Sequence, residues 1–246
     1  MTKDRPGAMP VKRSAGRKID QIERHFIWLK PDDIAYCRVP KAANSAIRFL
    51  LADAFGVRPS APDGLEMRPN NDRFWLHVPP KTARSLTRKQ YVQGFPHARG
   101  WSFSFVRHPV SRLYSCWNNK VMENSPLSRR FQKMGVVHGM SFADFVARVA
   151  QSDDAHCDIH VRAQFAILAL GGRILPDFIG RVEQIGPDWA HVQMEVRART
   201  GRALPDLVPR NVRAKASPDI AQTIDPHTLG LIRERYRDDF KHFYPE

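Results

Sequence analysis

Trp101-Ser-Phe-Ser-Phe-Val106 runs directly into Arg107-His-Pro-Val-Ser-Arg-Leu-Tyr-Ser115. The first half alternates apolar with small polar side chains, the period of a β-strand. Pro109 then suits the first turn of a helix, where its missing N–H costs nothing, and the helix is expected to reach Lys120. The same order occurs earlier in the chain. Asp33-Ile-Ala-Tyr-Cys-Arg-Val39 has the composition of a short strand and Pro40 ends it. Ile47, Leu50, Leu51 and Ala54 then recur at helical spacing, with Gly56 where a C-terminal cap is expected. Working outward, Asp177 to Val182 reads as a strand, Pro187 to Thr200 as a helix closed by Gly201, and Pro226 to Phe240 as one final amphipathic helix. Strands alternating with helices predict an α/β fold: a single domain with a central parallel β-sheet flanked by helices.

Two stretches carry little pattern. Between Val57 and Gly100 six prolines interrupt regular structure, and long loops with short helices are expected. Met122 to Gly139 is polar and basic without a period and reads as a mobile loop, followed by a helix that Ser141 and Asp144 can cap. Residues 1–24 are basic and polar and read as a flexible arm ahead of a domain spanning residues 25–246.

The 246 residues, 42% of them hydrophobic, suffice for one core. A net charge of +14, from 39 Lys and Arg against 25 Asp and Glu, favours an anionic partner without choosing which. Cys37, Cys116 and Cys157 form no CxxC pair, so no disulfide framework or zinc site is expected and a cytoplasmic location fits. No apolar run is long enough for a signal peptide or a transmembrane segment.

The chemistry is expected where strands end and helices begin, because helix N-termini offer unpaired N–H groups to anions. In Val39-Pro40-Lys41-Ala42-Ala43-Asn44-Ser45-Ala46 small residues let the backbone approach a phosphate, while Lys41 and Ser45 add a cation and a hydroxyl. Taken alone, this segment is equally consistent with an ordinary turn and a solvated lysine. In the second segment Arg107 leaves a strand end and Ser115 follows eight residues later, about two helical turns on. Arginine grips a phosphate as a fork and serine donates one further bond.

The two segments in this order resemble the carbohydrate sulfotransferases of the second family, which use 3′-phosphoadenosine-5′-phosphosulfate (PAPS) and have a P-loop-like α/β fold. Val39 to Ser45 resembles the family's 5′-phosphosulfate loop, and Phe105 to Ser115 is similar to its 3′-phosphate motif, including the arginine-to-serine spacing. Weaker echoes are His160-Val-Arg-Ala-Gln164, Phe178-Ile-Gly-Arg-Val-Glu183, Asn211 and Arg235-Tyr-Arg-Asp-Asp-Phe240. The resemblance implies that Lys41 contacts the phosphosulfate, that Ala42, Ala43, Asn44, Ser45 and Ala46 wrap its 5′ end, and that Arg107 and Ser115 hold the 3′-phosphate. It implies no metal and a hydroxyl acceptor on a glycan or glycolipid. His108 departs from the family pattern, in which an acidic or amide residue is commoner.

Sulfuryl transfer resembles phosphoryl transfer, so positioning and electrostatic stabilisation carry it, and Lys41 has the leaving-group role. The acceptor hydroxyl also needs a base. His77, between the two motifs within Phe74-Trp-Leu-His-Val78, is the first choice, although a partly buried structural histidine fits this position better. His97 precedes the second strand, at the end opposite the expected cleft, and His160 has an echo but no assigned role. Arg129, Arg130 and Lys133 are candidates for holding an acidic acceptor. Two other readings remain: a basic nucleic-acid-binding protein, against which the basic residues are scattered and match no nucleic-acid motif, and a catalytically inactive cofactor-binding relative.

Overall fold

The computed structural model describes residues 23–60, 67–123, 126–208 and 223–245. Its centre is a five-stranded sheet of β1 (Phe26–Leu29), β2 (Ile34–Cys37), β3 (Ala83–Leu86), β4 (Trp101–Val106) and β7 (Phe178–Arg181), in the order β3-β1-β2-β4-β7. Two further short strands, β5 (Ala169–Leu170) and β6 (Arg173–Ile174), form a separate ribbon. The central sheet has the expected parallel part and adds antiparallel strands at one side. β2, β4 and β7 are parallel, whereas β1 runs antiparallel to both β2 and β3.

The antiparallel pairing of β1 with β2 has a local cause. β1 returns to β2 through one 3-10 turn, Lys30–Asp32, with Pro31 in the turn and Asp33 left-handed at φ 50°. Asp33 tolerates that conformation because its carboxylate accepts from Trp28 Nε1 at 3.1 Å and Arg99 Nε at 2.6 Å. So short a connection permits only antiparallel pairing.

Both faces of the sheet are covered. Ile27, Leu29, Tyr36, Phe103 and Phe105 meet Ile47 and Leu51 of α1 (Asn44–Ala54) and Trp189, Val192 and Val196 of α8 (Ile185–Thr200) in one cluster. Phe26, Trp28, Cys37 and Tyr91 share the other with Leu168 and Phe243. The alternation in β4 therefore does not divide core from solvent: Ser102 and Ser104 are fully buried. Ser104 Oγ donates to Cys37 O at 2.7 Å, and Ser102 Oγ donates to Asp177 Oδ2 at 2.7 Å while accepting from Tyr91 Oη. Gly180 on β7 lies opposite Phe105, and a Cβ there would sit 2.5 Å from that ring, so the parallel pair closes only around glycine.

A third cluster joins α4 (Pro109–Lys120), α6 (Phe142–Ala150) and α9 (Pro226–Arg235) through Leu113, Cys116, Phe145, Val149 and Ile232. Two sequence expectations change here. The segment read as a mobile loop contains α5 (Arg129–Lys133), and Val121, Phe131 and Val136 around it are buried. The single last helix is two, α9 and α10 (Arg237–Phe243), broken at buried Tyr236, whose hydroxyl donates to Val161 O at 2.6 Å. The weakly patterned stretch supplies α2 (Asp72–Leu76), β3 and α3 (Arg88–Gly94). Residues 1–22 and the echo at Asn211 lie outside the described residues. Glu23 and Arg24, assigned to the arm, are tied to the fold: Glu23 accepts from Arg162, Arg130 and His25, and Arg24 donates to Ser85 O. No described helix is long and apolar enough to cross a membrane.

Candidate functional site

β2 and β4 are adjacent and parallel, so the loops leaving them emerge side by side at the carboxyl edge of the sheet. In the first loop Lys41 and Ala43 have left-handed backbones, at φ 69° and 53°. For residues carrying a Cβ this costs about 1 kcal/mol each and persists only where the surroundings impose it. Those surroundings are specific. Ala42 is fully buried, its N–H reaches Val39 O, and α1 begins immediately at Asn44 with no side-chain cap. A tight turn that delivers an uncapped helix N-terminus leaves the first-turn N–H groups, around Asn44, Ser45 and Ala46, directed at the loop mouth. The buried Asn44 Oδ1 has no partner among the described residues.

The second loop braces the first. Arg112 on α4, 1% exposed, donates from Nε to Pro40 O at 2.9 Å and from Nη1 to Arg162 O at 2.7 Å. Lys41 Nζ donates to Asn119 Oδ1 at 3.1 Å, and Asn119 Nδ2 donates to Glu123. Ser115 and Asn119 stand one turn apart on α4, so the serine expected to meet a phosphate shares the helix face that holds Lys41.

Arg107 is fixed through its backbone. Its N–H donates to Gln164 Oε1 at 2.9 Å and its carbonyl accepts from Gln164 Nε2 at 2.8 Å. Gln164 opens α7 (Gln164–Leu168), and the fully buried Asp239 of α10 accepts the N–H groups of Gln164 and Phe165. Burial lowers the Arg107 guanidinium below its usual range, against the opposing pull of Glu183 and Tyr244. Glu183 also accepts the His108 N–H at 2.8 Å and the Tyr244 hydroxyl at 2.9 Å. The His108 ring packs edge-on against Phe240 and Tyr244, which gives the unusual residue a packing role. These contacts explain the echo segments: Gln164, Glu183 and Asp239 all serve to hold the loop at Arg107. Their residue types were visible in the sequence, but the contacts span 57 to 75 residues and no local pattern reveals them.

Beside the first loop lies a cavity of about 370 Å³ bounded by Pro40, Asn44, Arg38, Arg48, Asp72 and His160. Arg38, Arg48, Asp72 and Ile159 also bound a second, of about 310 Å³, which extends to Glu23, Arg24 and Arg130. Asp72 bridges the two arginines, accepting from Arg38 Nη2 at 2.7 Å and Arg48 Nη1 at 3.0 Å. Two cations against one carboxylate leave the wall positive. Burial, with Arg38 adding to it, brings Arg48 down to about 10.

The histidines separate. His77 is exposed, bounds neither cavity, and binds Arg73 O through Nδ1 at 2.8 Å, closing α2. His97 packs against Tyr91 and Phe95, before β4 begins. His160 stands in the cavity wall with Nδ1 2.7 Å from Asp158 Oδ1. Arg130 reaches the second cavity while Arg129 and Lys133 face solvent. Among the described residues no three His, Cys, Asp or Glu side chains gather as metal ligands.

A strand, a basic loop and a helix without a side-chain cap, used twice on neighbouring parallel strands, define an α/β protein with two basic loops side by side at the carboxyl edge of its sheet. The chain belongs to the sulfotransferase family, whose model it matches over residues 24–245. No curated protein and no solved structure matches it.

Proposed function

We propose that this sulfotransferase takes the sulfuryl group of PAPS and passes it to a hydroxyl of a carbohydrate, on a glycan or glycolipid. The observation that carries the reading is the pairing of the two loops, locked together by Arg112 on Pro40 and Lys41 on Asn119. Their residues fit a donor with anionic groups at both ends. The first-turn N–H groups of α1 and the Lys41 ammonium suit a 5′-phosphosulfate, and Arg107 with Ser115 suits a 3′-phosphate. Bound PAPS supplies an activated sulfuryl group on a phosphate leaving group. Lys41 then neutralises charge developing on that phosphate, the backbone N–H groups orient it, and Arg107 fixes the far end so that the reacting end cannot wander.

The acceptor belongs in the cavity bounded by Arg38, Asn44, Asn70, Asn71 and Asp72. Amide, carboxylate and guanidinium groups along one wall suit a ligand rich in hydroxyls, and the excess of cations suits one that also carries acidic groups. The three buried, unpaired cysteines support a cytoplasmic location. The test is release of adenosine 3′,5′-bisphosphate from PAPS across a panel of neutral and acidic oligosaccharides and glycolipids. Saturable, acceptor-dependent release is expected, and release that no carbohydrate stimulates but a phenol or a peptide does contradicts the acceptor class.

A further inference from the structure

We propose that His160, oriented by Asp158, is the residue that takes the proton from the acceptor hydroxyl. The inference rests on the sulfuryl-transfer reading and adds its missing base.

The geometry separates His160 from the other histidines. It shares one cavity with Pro40 and Asn44 of the first loop, where a bound donor would present its reacting end. Its side chain is 30% exposed, enough to meet a substrate yet held on one side. The hold is a short turn in which Asp158 Oδ1 accepts both the His160 backbone N–H at 2.9 Å and ring Nδ1 at 2.7 Å. Asp158 is itself fixed, with Oδ2 accepting from Ser128 Oγ at 2.5 Å. Burial pushes the Asp158 carboxyl up, but the bonds from His160 and Ser128 overcome this and hold it at about 2. An ionised carboxylate only accepts, so ring Nδ1 carries the proton and Nε2 keeps the lone pair.

The charges around the ring keep it ready to accept. Burial lowers the His160 pKa, Asp158 raises it, and Lys120 and Lys41 lower it again, leaving it below the usual value. Arg38, Arg48 and Asp72 bound the same cavity, and Phe131 stacks beside the ring at 6.5 Å. At neutral pH the imidazole is neutral. In the step, the acceptor O–H proton passes to Nε2 as the acceptor oxygen forms its bond to sulfur. The bond from sulfur to the bridging phosphate oxygen breaks, that oxygen keeps the electron pair, and the imidazolium later releases its proton to solvent.

Three measurements on the full chain test this. Nitrogen-15 NMR of labelled histidines is expected to find His160 protonated on Nδ1 at pH 7 with a pKa below 6.5, and Asp158→Asn should lower that pKa further by removing the anion that favours imidazolium. Calorimetry with adenosine 3′,5′-bisphosphate should give His160→Gly an affinity within about twofold of wild type, because the residue faces the acceptor. Single-turnover transfer from PAPS, to the acceptor the panel selects or to water where it selects none, should fall about 100-fold or more in His160→Gly. Free imidazole should restore part of that rate, in proportion to its unprotonated form. A wild-type rate in His160→Gly overturns the proposal, as does a loss that imidazole does not rescue or a His160 protonated on Nε2. If wild type neither binds the bisphosphate nor consumes PAPS, the sulfuryl-transfer reading falls and this inference with it. A wild type that transfers beside an equally active His160→Gly removes only the base.

Discussion

In the proposed function Lys41 and Arg107 hold opposite ends of the donor, and their substitutions should then fail differently. Lys41 holds a left-handed backbone and points its ammonium at Asn119, so it is placed before any ligand arrives. Lys41→Ala should lower the single-turnover rate about 100-fold while weakening donor affinity far less, because a cation near the leaving oxygen gains most as charge develops. Lys41→Arg should recover only part, since a planar fork places charge differently from an ammonium. An Ala variant with the wild-type single-turnover rate and only a raised KM would leave Lys41 a binding residue. Asp158 makes a separate prediction about stability. Its carboxyl sits at about 2 in the fold, below the unfolded value, so its contribution is present above about pH 4 and lost as pH falls through about 2. The two values make that contribution about 3 kcal/mol at most, and Asp158→Asn should abolish it in denaturation curves compared at pH 7 and pH 2. The positions of Lys41, Arg107 and Ser115, the residues proposed to hold the donor, were legible because each stands at a fixed offset from a strand end. The histidines were not, since the sequence ranks His77 by its apolar neighbours and only the fold brings His160 to Pro40 and Asn44.

Elements were legible in proportion to how local their causes are. The helix from Pro109 to Lys120 ends where the sequence reading ends it, because Pro109 and the periodicity both lie inside the segment. β1 and β3 escaped for the opposite reason. Phe26-Ile-Trp-Leu29 is a short run with no alternation, buried on both faces, and Ala83-Arg-Ser-Leu86 is a strand only because it pairs with β1. The break at Tyr236 has no glycine or proline to announce it; a hydrogen bond to Val161, 75 residues away, goes with it. Two predictions belong here. Gly180→Ala should destabilise the fold by about 1 to 3 kcal/mol, because its methyl would press into the Phe105 ring beneath the β4 and β7 pair. A thermal midpoint equal to wild type would mean that the ring moves aside at no cost. Asp239→Ala should release the N-terminus of α7 and with it the Gln164 clamp on Arg107. Affinity for adenosine 3′,5′-bisphosphate should then fall while affinity for adenosine 5′-monophosphate stays, and equal losses for both would assign Asp239 to stability alone.

Across the whole molecule the net charge of +14 gathers anions without selecting one, and selection has to come from the two loops. The protein should therefore bind DNA or RNA only weakly and without sequence preference, with affinity vanishing by about 200 mM salt, whereas a donor with two anionic ends should keep its discrimination. The proposed function requires that the loops at Lys41 and Arg107 bind the two ends of one ligand. Its most direct test is isothermal calorimetry of wild type and Arg107→Ala against adenosine 3′,5′-bisphosphate and adenosine 5′-monophosphate. Wild type is expected to prefer the bisphosphate, and Arg107→Ala to lose about 2 to 4 kcal/mol of that preference, the worth of a charge-assisted fork on the 3′-phosphate. A wild type indifferent to the 3′-phosphate, or a preference that survives intact in Arg107→Ala, would contradict the claim.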